Sequence, residues 1–214
     1  MSKAEESFLD LDPSLSSVEW LDENSPCEVH IAGEITDELT GEFETCLRQA
    51  QASQQDVIVV VINSTGGCCY NASKIIDILA SCEQEVVTCV RGTAMSAAAL
   101  IFSCGDRRLI TPNSSVMLHS VSHFGSGGTT KEMIVDASET GRLNKRMCEI
   151  LDENTGNKKG FFAKKLDKNL DVYLNAEKAK EWNLATHVGD VKLTTTISVS
   201  TRLDILRPKK RKRM

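Results

Sequence analysis

The sequence predicts an α/β domain built around a parallel β-sheet, and three observations lead to this fold class. Residues 56–64, DVIVVVINS, form the continuous apolar run that is typical of a strand buried on both faces. From Cys27 onward, strand-like segments alternate with segments of helical spacing, an order that favours parallel strands joined by right-handed crossovers. A length of 214 residues with 41% hydrophobic and 26% charged residues is ordinary for one globular core.

The individual elements follow in chain order. Residues 27–35 alternate as a strand, and residues 36–51 predict a helix with Thr36 as N-cap. After the apolar strand, the remaining segments predict a helix at 71–82, a strand at 85–92, a buried helix at 96–105, and two short strands around a Pro-Asn turn within 107–121. We find no internal repeat.

The two ends of the chain differ from its middle. Residues 1–24 are polar and acidic and predict a flexible N-terminal arm, residues 25–192 the folded domain, and residues 193–214 an extension. The last eight residues, RPKKRKRM, hold six basic residues, which leaves residues 1–206 with 19 basic against 30 acidic residues. Such a tail is typical of a solvated end and also of nuclear targeting or a nucleic-acid contact, and nucleic acid is expected as a partner only through it.

The N-terminal residues and the cysteines indicate the cellular compartment. The acidic N-terminus lacks the pattern of a secretory signal, and no apolar run is long enough to span a membrane, so we expect a cytoplasmic protein, with nuclear targeting left open by the tail. The eight cysteines contain no C-x-x-C motif and lie mostly in apolar segments. This pattern favours buried, reduced thiols over disulfides or metal binding.

One long helix is predicted from about Thr130 to residue 155. Its apolar residues form an imperfect stripe that includes Met133, Ile134 and Leu143. The stripe either packs on the domain's own core or contacts another subunit.

Two strand-to-helix junctions are candidates for chemistry. Gly66 and Gly67 follow the apolar strand and permit a tight turn with an outward N–H. In GTAMSAAAL, residues 92–100, Ser96 is predicted to lie in the first turn of a helix of alanines. A hydroxyl at a helix N-terminus, with the Ala97 N–H and a glycine N–H beside it, suits a nucleophile and a site for a developing oxyanion. The alternative interpretation is that this serine is only a small residue packed at the start of a buried helix.

A nucleophilic serine needs a base and usually an orienting carboxylate. Of the four histidines, His119 lies at the exit of an apolar strand and is the candidate base. We interpret His30 as structural, and His123 and His187 as exposed. Spacing alone does not choose the acid.

Four segments in order resemble one family: INSTGG (62–67), GTAMSAAAL (92–100), NSSVMLHS (113–120) and LDVYLNAEKAKEWNLATHVG (170–189). Together they are similar to the proteolytic subunit of the Clp protease, ClpP, over about residues 25–190. The resemblance implies a ClpP/crotonase-like fold, a superhelical core of repeated β-β-α units with a protruding handle helix.

The resemblance also implies the site residues. The family's nucleophile falls on Ser96, its base on His119 and its acid on Asp171, with Asp167 as the possible substitute for the acid. The oxyanion hole would be the backbone N–H groups of Gly67 and Ala97. This mechanism requires no metal or organic cofactor. The chain departs from the family's pattern at Thr65, where proline is usual, at Ala97, where methionine is frequent, and at Ser120 and Val121, where Gln-Pro is common.

The implied function is peptide-bond hydrolysis inside an oligomeric chamber. The subunit itself would use no ATP and would be fed unfolded protein by an AAA+ unfoldase such as a ClpX- or ClpA-like ATPase. The homo-oligomer would consist of stacked rings, heptameric in a tetradecamer, joined through the long helix. Three alternatives remain: a viral-type capsid-maturation peptidase of the same fold, a crotonase-like acyl-CoA enzyme, and an inactive structural ring subunit.

Overall fold

The computed structural model describes residues 28–53, 55–122, 128–166 and 171–193. Within these ranges the chain forms seven strands and six helices. The strands are β1 (Glu28–Ile35), β2 (Val57–Gly67), β3 (Glu85–Met95), β4 (Arg107–Ile110), β5 (Ser115–Leu118), β6 (Val172–Asn175) and β7 (His187–Val188). The helices are α1 (Asp37–Ala52), α2 (Cys69–Ala80), α3 (Ala97–Phe102), α4 (Thr130–Thr155), α5 (Phe161–Leu166) and α6 (Ala176–Glu181).

The sheet is parallel along the order β1-β2-β3-β4-β7, which confirms the predicted fold class. Strand β3 is long enough to have two neighbours on one side: its first part pairs with β4 and its last residues, Thr93 to Met95, pair with β5. Strand β6 then runs antiparallel to β5. The sheet therefore extends beyond β4 at the end of β3 that leads into α3.

The helices cover one face of the sheet. Side chains of α1, α2 and α3, including Phe43, Ile75 and Phe102, pack with β1–β3 in the main core. On the opposite face a smaller cluster of Val59, Val61 and Val87 is covered in part by the chain that follows β7. Strand β2 is buried on both faces, as its apolar run predicts.

Local chemistry sets the helix boundaries. The Thr36 hydroxyl accepts the Leu39 N–H at 3.2 Å, so Thr36 is the N-cap of α1 as predicted. Helix α4 begins with a capping box between Thr129 and Glu132, and it ends at Gly156 in the left-handed conformation. Among the described residues, no helix combines the length and apolarity needed to cross a membrane.

Two sequence-based expectations need correction. Strands β2 and β3 continue to Gly67 and Met95, beyond the predicted ends at 64 and 92, because the glycine-containing segments still pair with β1 and β5. The prediction of buried thiols holds for Cys89 and Cys148, whereas Cys46 and Cys68 are exposed because they lie on the outer side of α1 and at the start of α2. The seven described cysteines are all free. The predicted N-terminal arm, residue 27 and the basic tail lie outside the described residues.

Candidate active site

Ser96 occupies the junction between β3 and α3. Its backbone has φ 55° and ψ −122°, a conformation that side-chain-bearing residues seldom adopt. Its N–H donates to the Met117 carbonyl of β5 at 2.8 Å, which holds the residue in this turn. The sequence predicted Ser96 in the first turn of α3, but Ser96 is its N-cap. The helix begins at the next residue, Ala97, with a run of buried alanines. Ser96 is half-buried at this sharp turn.

His119 follows directly after β5. Because β3 and β5 are parallel neighbours with Met95 opposite Met117, the residues after the two strands emerge at the same edge of the sheet. His119 Nε2 lies 2.6 Å from Ser96 Oγ, within hydrogen-bond distance. The structure thus brings the predicted nucleophile and base into contact across 23 residues of sequence.

Asp171 immediately precedes β6 and is exposed. The antiparallel register pairs Leu118 with Val172, so the next pair in the same register is His119 with Asp171. Residues facing each other in this way have Cβ atoms about 5 Å apart. Within the described part of the chain no hydrogen bond joins the two side chains, and Asp167 lies outside it.

The glycine pair lies against Ser96. A Cβ placed on Gly66 would stand 2.6 Å from the Met95 carbonyl oxygen and 2.8 Å from Ser96 Cβ. A Cβ on Gly67 would stand 2.5 Å from the Ile35 carbonyl oxygen. Both positions therefore need glycine for close backbone approach, Gly66 toward the serine and Gly67 toward β1.

Three polar residues that the sequence analysis did not single out shape these loops. The buried Ser64 hydroxyl accepts the Gly66 N–H at 3.1 Å. Ser114 Oγ accepts the Gly92 N–H at 2.8 Å, and Asn63 Oδ1 accepts the Thr93 N–H at 3.2 Å. They hold the irregular ends of β2 and β3 in place. All three lie within the quoted motif segments, since Asn63 and Ser64 belong to residues 62–67 and Ser114 to residues 113–120, but only tertiary pairing reveals their partners.

The remaining histidines lie elsewhere. His30 on β1 is exposed and lies 3.7 Å from the Glu28 carboxylate, and His187 is exposed beside the Thr186 hydroxyl. The exposure of His187 agrees with expectation. His123 lies outside the described residues. Among the described histidines, His119 is therefore the one that contacts Ser96.

Comparison with known proteins gives consistent results. The chain matches the family model described as Clp protease over residues 21–192. It is 29% identical over 191 residues to the ATP-dependent Clp protease proteolytic subunit of Chlorella vulgaris, covering 86% of this chain and 94% of that subunit. It is 32% identical over 162 residues to proteolytic subunit 3 of Rhizobium meliloti (strain 1021), covering 75% and 82%.

A solved structure also resembles the fold. A ClpP1 mutant from Listeria monocytogenes superposes with a TM-score of 0.69 at 24% identity, covering 77% of this chain and 92% of that chain. The likeness confirms the ClpP-like fold expected from the four motifs. With the family match over most of the chain and a serine in contact with a histidine at the end of its parallel strands, the chain belongs to the Clp protease family of serine peptidases.

Proposed function

We propose that this chain hydrolyses peptide bonds with Ser96 as nucleophile and His119 as general base. The observation that carries the proposal is the 2.6 Å distance between Ser96 Oγ and His119 Nε2. With the ring proton on Nδ1, Nε2 accepts the hydroxyl proton as Oγ attacks the carbonyl carbon, and it later returns that proton to the leaving amine.

Asp171 is proposed as the residue that orients the imidazole. Its support is the β5–β6 register, in which Leu118 pairs with Val172, so that His119 and Asp171 are the next two residues along the same register. A carboxylate on the Nδ1 side favours the tautomer that leaves Nε2 free to accept, and it stabilises the imidazolium that forms during attack.

The proposed oxyanion hole consists of the Gly67 and Ala97 amides. Ala97 is the first residue of α3, so its N–H lacks a partner within the helix. The Cys68 N–H donates to the Ile35 carbonyl of β1 at 3.0 Å. Because successive residues of an extended chain alternate in direction, we infer that the preceding Gly67 N–H points away from β1, toward β3 and Ser96. Each such donor contributes about 3 kcal/mol to transition-state stabilisation.

Assembly is the second part of the proposal. All buried residues of α4 lie at or after Met147, whereas Ile134 and Val135 on its first half are 64% and 65% exposed. This exposed apolar surface supports contact with another subunit over packing on the chain's own core. We propose stacked heptameric rings joined through α4. The relatives are named subunits of an ATP-dependent protease, which supports an AAA+ unfoldase, of ClpX or ClpA type, as the partner that delivers unfolded protein.

The experiment combines labelling, cleavage and mass. Wild type and Ser96→Ala are treated with a fluorophosphonate probe, assayed on a short fluorogenic peptide, and weighed by native mass spectrometry with and without an AAA+ unfoldase. We expect labelling and cleavage by wild type only, from a multi-subunit particle. Because the serine packs little, the substitution should change the free energy of unfolding by less than about 1 kcal/mol. Residual turnover above about a tenth of wild type contradicts the nucleophile assignment.

A further inference from the structure

The first two thirds of α4, residues 130–146, contain no buried residue. Hydrogen bonds nevertheless connect this part of α4 with the body of the domain, among them one from Tyr70 and one from Val121. The Tyr70 hydroxyl donates to Glu139 Oε1 at 2.8 Å, and the Val121 N–H donates to Asn144 Oδ1 at 3.2 Å. The two body residues belong to different segments, so α4 connects parts of the chain that are distant in sequence.

Both segments adjoin the active site. Tyr70 follows Gly67 by three residues, at the start of α2. Val121 follows His119 by two residues. One end of the α4 contact is therefore tied to the glycine loop, and the other to the chain that carries the base.

The Glu139 carboxylate, which accepts the hydrogen bond from Tyr70, is itself held in place. Arg142 donates from Nε and Nη2 to the two oxygens of Glu139, each at 2.7 Å. These bonds, with that from Tyr70, lower the pKa of Glu139 to about 2, so the carboxylate is charged at any working pH. Tyr70 is 58% exposed, so little packing fixes its ring and the hydrogen bond gives its position.

Helix geometry makes this link stiff. Glu139 and Asn144 are five residues apart, about 7.5 Å along the helix axis. A continuous hydrogen-bonded helix hardly changes in length, so the separation of its two contact points is constant. Because both bonds reach the same helix, they oppose motion of the glycine loop relative to the His119 segment.

We propose that Tyr70 and Asn144 are positioning residues: through α4 they set the glycine loop and His119 at the separation that the reaction needs. This inference rests on the proposed peptidase function. Neither residue touches the reacting atoms. We expect their effect in the rate of the chemical step, because a misplaced oxyanion donor or base reduces the stabilisation of the transition state more than it reduces the affinity for substrate.

The test uses the full chain with single substitutions. Tyr70→Phe removes only the hydroxyl, and its matched control is Tyr173→Phe, since Tyr173 is the only other tyrosine and is similarly exposed, at 63% against 58%. Asn144→Leu removes the acceptor, whereas Asn144→Asp keeps a carboxylate oxygen to receive the Val121 N–H. The measurements are kcat and KM on a fluorogenic peptide at pH 8, sedimentation, and the thermal unfolding midpoint.

We expect Tyr70→Phe and Asn144→Leu to lower kcat about tenfold with KM unchanged, below the roughly hundredfold cost of a 1 Å misplacement. Asn144→Asp and Tyr173→Phe should retain most of the wild-type kcat, and all variants should keep the wild-type mass and unfolding midpoint. Wild-type kcat in Tyr70→Phe and Asn144→Leu overturns the inference, as does a loss of activity that accompanies dissociation of the oligomer. A wild-type chain with no Ser96-dependent cleavage contradicts the proposed function instead, and the positioning roles fall with it.

Discussion

Gly66→Ala is the substitution for which the structure sets the sharpest expectation. Gly66 has φ +94°, and a Cβ there would stand 2.6 Å from the Met95 carbonyl oxygen, 2.8 Å from Ser96 Cβ and 3.2 Å from the Ala97 nitrogen. Two of these atoms belong to the backbone, which cannot swing away as a flexible side chain can. The added methyl group must therefore displace the turn that carries the nucleophile.

The size of the displacement follows from these distances. To reach an ordinary contact of 3.4 Å, the Ser96 Cβ must retreat by 0.6 Å (3.4 less 2.8) and the Met95 oxygen by 0.8 Å (3.4 less 2.6). A 1 Å misplacement of a reacting group costs about a hundredfold in rate. An alanine held in the left-handed conformation of Gly66 lowers the free energy of unfolding by about 1–2 kcal/mol. Overpacking adds about 1–3 kcal/mol more.

Gly33→Ala is the matched control. Gly33 has nearly the same backbone conformation, with φ +91°, but a Cβ there meets no atom within 4 Å. The free energy of unfolding of this variant should fall by the backbone cost alone, about 1–2 kcal/mol, and the variant should keep full activity. The comparison separates the cost of the φ angle from that of the contact with Ser96.

The assay is kcat/KM on a fluorogenic peptide, with the free energy of unfolding measured in denaturant on the same preparations. We expect Gly66→Ala to lose about a hundredfold in kcat/KM relative to Gly33→Ala. If Gly66→Ala cleaves peptide within about threefold of the control, the glycine loop does not restrain the nucleophile, and the placement of this loop at the reaction centre is wrong.

Three further outcomes are expected. Asp171→Asn should lower peptide turnover by about 10⁴ through the wrong histidine tautomer while Asp167→Asn has little effect; equal losses from both would reassign the acid. Ile134→Glu should reduce the particle mass in sedimentation without changing subunit unfolding, because this side chain is 64% exposed in the single chain; an unchanged mass would place the interface elsewhere. Burial raises the pKa of Cys89 and Cys104 from 9.0 to about 11, so the stability that these neutral thiols contribute below pH 9 should fall as the pH rises toward 11. Equilibrium unfolding measured between pH 9 and pH 11 checks this fall in the free energy of unfolding. Replacing both cysteines by alanine should make the fall smaller.

Much of the fold was predictable because local patterns carried it. The apolar run of β2, the Thr36 cap of α1 and the extent of α4 from Thr130 all agree with the sequence. Each depends on residues within a few positions of one another, where propensity, capping and hydrophobic periodicity act. The exposure of Cys46 and Cys68 was missed because an apolar neighbourhood in sequence does not say which side of a helix faces solvent.

The candidate site divides in the same way. Sequence motifs singled out Ser96, His119 and the glycine pair, since each lies next to a strand end with the residue types that acyl transfer needs. Sequence could not show which glycine approaches the serine, nor that Ser64 and Ser114 hold the two loops. These are contacts between segments, and they depend on strand register.

By itself the sequence determined the strands and helices, the order of the functional residues and the family to which the chain belongs. Tertiary structure alone decided that β3 extends beyond the end of β4 and pairs there with β5. This pairing places His119 Nε2 2.6 Å from Ser96 Oγ. It also decided that β6 runs antiparallel to β5, so that Val172, which follows Asp171, pairs with Leu118, which precedes His119. The physical reason is that hydrogen-bond register between distant strands is chosen by the packing of the whole core, whereas a helix cap or an apolar strand is chosen by its own neighbours in the chain.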